Sequence, residues 1–216
     1  MFRRLWKKTV AFTAVLMVAL TMSCSVLVSA DISQFTPVTD GSYLNFMSFN
    51  LRYDTTSNPL MSTEIRGSHL LQLVQSYLPD SVGFQEATDT WMGYLRNAMA
   101  AKNYAYVGVG RDTGTDDPTR NTTSNEFAPV FYRSDKYEAL ESGTFWLAPT
   151  LDVVSGPAWN AGNKRVCTYV VLKNKTTSEI YAHFNTHLDD QSEVAKINGI
   201  RIIQSRISGL EQKYSD

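Results

Sequence analysis

Three short stretches concentrate the side chains that could handle phosphate or a hard metal ion: Met47-Ser48-Phe49-Asn50-Leu51-Arg52, Val82-Gly83-Phe84-Gln85-Glu86 and His183-Phe184-Asn185-Thr186-His187-Leu188-Asp189. Each follows or ends an apolar, strand-like run, so a fold that aligns the strand ends would gather Asn50, Glu86 and His187 at one rim. Glu86 closes an apolar segment, where an uncompensated carboxylate is costly. A divalent cation would offset that cost. One carboxylate, a side-chain amide such as Asn50 and water form a hard, oxygen-only donor set that suits magnesium or manganese. Asn50 alone would equally suit a turn.

Residues 165–172 and 179–187 read as two strands, and a hairpin centred near Thr176 sets Arg165 roughly opposite His187. On the second strand His183, Asn185 and His187 share a face. A guanidinium and an imidazole are then directed at the same small volume. A zinc ion shared by His183 and His187 is excluded: four strand residues separate them by about 13 Å, whereas each ligand nitrogen must lie about 2 Å from the metal. The chain has 3 His, and no other pair has suitable spacing. His183 is therefore read as structural, and Cys167, inside an apolar run, as a buried inert thiol.

The elements that must position these groups follow from hydrophobic period and caps. A period-two run ends as a strand near Asn50. Ser62 or Thr63 opens a helix with Ile65, Leu70, Leu71, Val74, Tyr77 and Leu78 at helical spacing, and Pro79 stops it. A short buried strand over residues 81–85 follows. Thr88 or Asp89 starts a second helix, and residues 104–109 return as a strand, which gives a βαβαβ opening. Residues 111–125, rich in Asp, Thr, Gly and Asn, form a long surface loop. Strand runs over 126–132, 137–147, 165–172 and 179–187 indicate antiparallel pairing. Asp190 with Glu193 predicts a capping box for a last helix whose face carries Val194, Ile197, Ile200, Ile203, Ile207 and Leu210. The expected class is α/β, with sheets packed between helices.

Residues 1–30 read as an export signal: Arg3, Arg4, Lys7 and Lys8, an apolar run from Thr9 to Met22, then Val28-Ser29-Ala30 as a cleavage pattern. The apolar run is shorter than the roughly 18 to 20 residues of a membrane span. The expectation is a secreted or extracytoplasmic protein, with lipid attachment at Cys24 as the rival. Residues 31–216 then form one domain carrying 16 Lys and Arg against 21 Asp and Glu, a net charge of −5. That balance disfavours unselective duplex binding, which depends on neutralising phosphates with Lys and Arg.

Taken together, the chain resembles the endonuclease/exonuclease/phosphatase superfamily, whose fold is that of pancreatic deoxyribonuclease. The matching pieces begin with Met47-Ser48-Phe49-Asn50-Leu51-Arg52-Tyr53-Asp54, Gly83-Phe84-Gln85-Glu86 and Gly108-Val109-Gly110-Arg111-Asp112. They continue with Glu126-Phe127-Ala128-Pro129-Val130-Phe131-Tyr132-Arg133, Ser142-Gly143-Thr144-Phe145-Trp146-Leu147 and Asn185-Thr186-His187-Leu188-Asp189. The resemblance implies an α/β two-sheet sandwich of mixed and antiparallel strands flanked by helices. It implies Glu86 and Asn50 at a magnesium or manganese ion, His187 at the scissile phosphate, Glu126 as the carboxylate that orients His187, and Arg165 as a phosphate contact; Asn185, on the face of His187, is read as serving the phosphate beside them. The implied reaction is metal-dependent hydrolysis of a phosphoester on a small molecule, lipid head group or sugar phosphate, with nucleic acid a further option. The family normally continues with a Gly-Asp-Phe-Asn-like strand end and an Asp-His pair, neither of which occurs here. The expectation is therefore residues 31–216 as the N-terminal part of such a domain, incomplete at its C-terminus and nearly inactive alone; the alternative is a secreted binding module that keeps the fold without catalysis.

Overall fold

The computed structural model describes residues 43–54 and 62–214. The leader expected over residues 1–30, with Cys24, lies outside them. Among the described residues, no helix is long and apolar enough to cross a membrane.

The first half builds one sheet and its helices. Strand β1 (Phe46–Asn50) leads to helix α1 (Thr63–Tyr77), strand β2 (Ser81–Gln85), the two-residue β3 (Ala87–Thr88), helix α2 (Asp89–Ala100) and β4 (Tyr104–Val107). Ser62 caps α1 by accepting from the amide of Ile65, and Thr88 caps α2 by accepting from that of Trp91, as short hydroxyl side chains do at helix starts. Leu78 ends α1 in a left-handed conformation. After a polar loop come β5 (Glu126–Phe127) and β6 (Val130–Arg133).

The order in this sheet is β1-β2-β6-β4, with β1 and β2 parallel and β6 antiparallel to both its neighbours. The βαβαβ alternation holds along the chain, with the two-residue β3 added, while in the sheet β6 enters between β2 and β4. The single strand expected over 126–132 is two. Pro129 has no N–H to give to a ladder, and the chain breaks there, leaving β5 paired with β3 and β6 in the larger sheet.

Strands β7 (Tyr137–Trp146), β8 (Val166–Asn174) and β9 (Ile180–Thr186) form an antiparallel meander, and helix α3 (Glu193–Tyr214) closes the described chain. The two large sheets face each other across Val130, Tyr137, Val170, Leu172 and Tyr181. Outside the first sheet, α1 and α2 bury Leu70, Val74, Trp91, Leu95 and Met99 against Val82, Phe84 and Phe131. Outside the second, α3 packs Ile203 and Leu210 on Phe145, Cys167, Tyr169 and Val171. Each such side chain contributes roughly 1.5–3 kcal/mol on burial. The architecture is thus helices, sheet, sheet, helix, the sandwich expected.

Two expectations about α3 are corrected. Its cap is Ser192, which accepts from the Ala195 amide at 3.2 Å, and Asp190 is not in that role. Its buried line is Ala195, Gly199, Ile203 and Leu210, whereas Val194 and Ile197 are exposed. At 3.6 residues per turn Val194 lies half a turn from Ile203, and the small Ala195 and Gly199 take positions on the buried side instead.

Candidate phosphate and metal site

Parallel pairing of β1 and β2 sets Asn50 against Gln85, so Asn50 and Glu86 emerge side by side at the carboxyl ends of neighbouring strands. Asn50 Nδ2 donates to Glu86 Oε1 at 2.8 Å, and the Tyr53 amide donates to Oε2 at 2.9 Å. The Arg52 amide donates to Asn50 Oδ1 at 2.7 Å. Glu86 is therefore not the unpaired charge anticipated from its strand. Both Arg52 and Glu86 hold positive φ, 56° and 57°, a backbone state that is uncommon outside glycine and concentrates at functional sites. The surroundings enforce it: Trp91 Nε1 and Arg66 Nη1 each donate to the Arg52 carbonyl at 2.9 Å, and the Arg66 guanidinium lies 4.8 Å above the Trp91 ring. Helices α1 and α2 thereby fix the loop that presents the Tyr53 amide.

A second group assembles where β5, the end of β9 and the start of β8 meet. Arg111 Nη1 donates to Glu126 Oε2 at 2.7 Å, and the Arg111 amide donates to the Glu126 carbonyl at 2.9 Å. His187 Nδ1 stands 3.9 Å from the same Oε2, beyond hydrogen-bond reach, and has no partner of its own. Arg111, Glu126, Lys164, Arg165 and His187 line one shallow pocket. Burial would raise the Glu126 carboxyl, but the adjoining His187 and the charges of Arg111 and Arg165 outweigh it and hold it below the usual range. Burial, aided by Arg165, lowers the Arg111 guanidinium, while Glu126 and, more weakly, Glu86 act against that shift. Directly after Glu86, Ala87 pairs with Phe127 and Thr88 with Glu126, so the two groups stand at one rim.

Arg111 is the residue sequence reasoning missed. It stood inside a matching stretch without a role, yet an arginine just past a strand end that is 8% exposed requires an anion. The loop that carries it is ordered by the start of α2: Asp89, 1% exposed, accepts from Thr122 Oγ1 at 2.6 Å and Asn125 Nδ2 at 2.9 Å. That anchorage returns the chain to β5 with Arg111 beside Glu126.

The remaining predicted residues divide. Cys167 pairs with Thr186, which sets Arg165 one position beyond His187, within the pocket wall. Its Nε donates to Asp189 Oδ2 at 3.3 Å and its Nη2 to Asp190 Oδ1 at 3.0 Å. Asn185 shares the face of His183 as read, but it is 5% exposed and joins the two sheets. Its Nδ2 donates to the carbonyls of Phe84 at 2.7 Å and Pro129 at 2.9 Å, while its Oδ1 accepts from Gln85 Nε2 at 2.6 Å. Both amide hydrogens are used, so Asn185 has no donor for the pocket, and the phosphate role gives way to a structural one. His183 is structural too: it pairs with Ser81 Oγ at 2.7 Å, and burial lowers its pKa to about 4.

Among the described residues no group of three or more His, Cys, Asp or Glu is arranged to hold a metal ion. Glu86 and Asn50 nevertheless present a solvent-accessible carboxylate and amide, a donor set that fits magnesium, which keeps several waters and takes one or two carboxylates.

No protein-family model matches the sequence, and no curated protein matches it significantly. Solved structures do. An endonuclease/exonuclease/phosphatase from Bacteroides vulgatus is 34% identical with a TM-score of 0.68, over 77% of this chain and 60% of that one. A mannosyl-6-phosphatase from Bacteroides thetaiotaomicron is 29% identical with a TM-score of 0.69, over 80% and 61%. The catalytic domain of human nocturnin with bound sulfate, 15% identical with a TM-score of 0.58 over 78% and 59%, shares the fold. The fold and the ordered motifs define an α/β two-sheet sandwich. The chain belongs to the endonuclease/exonuclease/phosphatase superfamily. It spans about three-fifths of the length of the first three structures it matches.

Proposed function

We propose that this protein hydrolyses a phosphoester bond with the aid of magnesium or manganese, on a small phosphorylated molecule. The observation that carries the reading is the joint presence, at one rim, of the Glu86–Asn50 pair and the Arg111–Glu126–His187 group. Glu86 and Asn50 would hold the ion, which when bound polarises a phosphoryl oxygen and acidifies water. Arg111 and Arg165 supply positive charge for the phosphoryl oxygens. Glu126 stays ionised and, on closing the gap of 3.9 Å, would take Nδ1–H of His187 and turn Nε2 toward substrate. The net charge of −5 after the leader supports a small substrate over a nucleic acid. The phosphatase named among the structural neighbours supports the same class. Export of the protein is part of this reading, as is the view that segments present in the longer relatives complete the site.

The test separates binding from turnover. Manganese binding, followed by water-proton relaxation, should be lost in Glu86→Ala, and inorganic phosphate binding should weaken in His187→Ala. In a protein extended to the length of its relatives, Glu86→Ala should abolish magnesium-stimulated cleavage of bis-p-nitrophenyl phosphate. His187→Ala should slow it roughly a hundredfold or more. Unaltered metal binding in the first variant, or wild-type turnover in either, overturns the assignment.

A further inference from the structure

Asp189 is 2% exposed and receives four donors: the amides of Gln191 at 3.0 Å and Ser192 at 2.9 Å on Oδ1, and the Gly162 amide at 3.0 Å and Arg165 Nε at 3.3 Å on Oδ2. One carboxylate thus binds the turn leading into α3, the irregular loop before β8 and the pocket arginine. The loop has a second strap, Ser192 Oγ donating to the Trp159 carbonyl at 2.6 Å. Trp159 and Asn160 both hold positive φ, 53° and 61°, a conformation that persists only where its surroundings over-determine it. Lys164 and Arg165, at the end of this loop, line the pocket with His187. Backbone donors and a buried guanidinium on one carboxylate also explain its charge state: burial alone would raise the Asp189 carboxyl, yet those hydrogen bonds and Arg165 keep it below the ordinary range.

We infer that Asp189 is a positioning residue for phosphate binding: it aims Arg165 into the pocket and fixes the loop of Trp159 to Lys164 against the start of α3. The inference rests on the phosphoesterase reading and assigns a role that the reading itself does not need. With Nε held by Asp189 and Nη2 by the exposed Asp190, the guanidinium plane is set, and Nη1 is the nitrogen neither aspartate engages. An aspartate is required there, because an amide at the same place would turn N–H donors toward the donors of Gly162 and Arg165.

The experiment is a double-mutant cycle on the affinity for inorganic phosphate, measured by calorimetry in the wild-type chain, Asp189→Asn, Arg165→Ala and the double variant, with circular dichroism on each. Asp189→Asn should raise the dissociation constant about tenfold or more. Arg165→Ala should do the same, and the double variant should be little weaker than either, since coupled residues are non-additive. Arg165→Lys guards against an Asp189 variant that does not fold: it keeps the charge but loses the two-carboxylate fork, and it should also bind about tenfold more weakly. Equal phosphate affinity in Arg165→Lys and wild type, or additive effects around the cycle, overturns the inference. A wild-type chain that binds no phosphate overturns instead the phosphoesterase reading on which it rests, so the two failures are told apart.

Discussion

Replacing Asn185 by Ala distinguishes the role it has in the fold from the one its motif suggested. The amide makes three buried bonds, to the carbonyls of Phe84 and Pro129 and from Gln85 Nε2, each between 2.6 and 2.9 Å. A neutral intramolecular hydrogen bond contributes a net 0.5–1.5 kcal/mol, about 1 on average, so the substitution should cost about 3 kcal/mol. For a domain of this size one kcal/mol moves the melting temperature by about 2–4 °C, and the loss should be about 6–12 °C. Urea unfolding followed by far-ultraviolet circular dichroism reads the first number and a thermal scan the second. Asn185→Asp should be at least as damaging, because it sets an anionic oxygen against two carbonyl oxygens. The reasoning fails if Asn185→Ala unfolds within about 1 kcal/mol of wild type while its phosphate affinity collapses. That pairing of results would return Asn185 to the pocket.

Gly83→Ala should destabilise by about 1–3 kcal/mol, the usual scale of overpacking, since an added Cβ lies 2.6 Å from Asn185 Cγ and 2.7 Å from its Oδ1. The cost should shrink in an Asn185→Ala background, and equal costs in both backgrounds would show the clash to be elsewhere. His183 predicts a pH dependence: its folded pKa lies near 4 against an ordinary 6.5, so between those values the unfolded chain takes up a proton that the folded one does not. Stability should be full above pH 6.5 and fall toward pH 4 at up to about 1.4 kcal/mol per unit. His183→Gln should flatten the urea midpoint between pH 6.5 and 5, and a slope unchanged in that variant would assign it to another group.

The elements with local signatures were legible in the sequence. Ser62 and Thr88 open their helices as their hydroxyls and the following apolar spacing indicate, and β9 alternates so that Tyr181, His183 and Asn185 face the other sheet while Ala182 and Phe184 meet α3. What escaped depends on partners distant in the chain. The entry of β6 between β2 and β4 leaves no mark on periodicity, which reports the face of a strand and not its neighbour. The division of residues 126–133 turns on Pro129, a signal present but read through. At the candidate site, Asn50, Glu86 and His187 stood out in the sequence because each stands at a strand end, where the change from apolar to polar is visible. Arg111 was missed because it opens a long polar loop, and only that loop's return to Asp89 and Asn125 brings it to Glu126.

Glu86 and His187 follow strands of different sheets, so their separation depends on how the sheets are registered across the core. Gln85 immediately precedes Glu86, Asn185 lies two residues before His187, and the bond from Gln85 Nε2 to Asn185 Oδ1 is the link between those strands that lies nearest the rim, beside those of Asn185 to the Phe84 carbonyl and of His183 to Ser81. Gln85 also lies close to Ser48 Oγ and the Gly83 carbonyl, both at 3.2 Å, so its side chain is held on its own sheet as well. Gly83, with no Cβ, lets Asn185 approach β2 closely enough to reach the Phe84 carbonyl. A shift of one residue in β9 would turn His183, Asn185 and His187 to the opposite face. It would leave Phe184 and Thr186 against the polar groups of β2. The alignment of carboxylate and imidazole is thus fixed by an uncharged buried contact behind them, and the surface charges at the rim need only be held, not gathered.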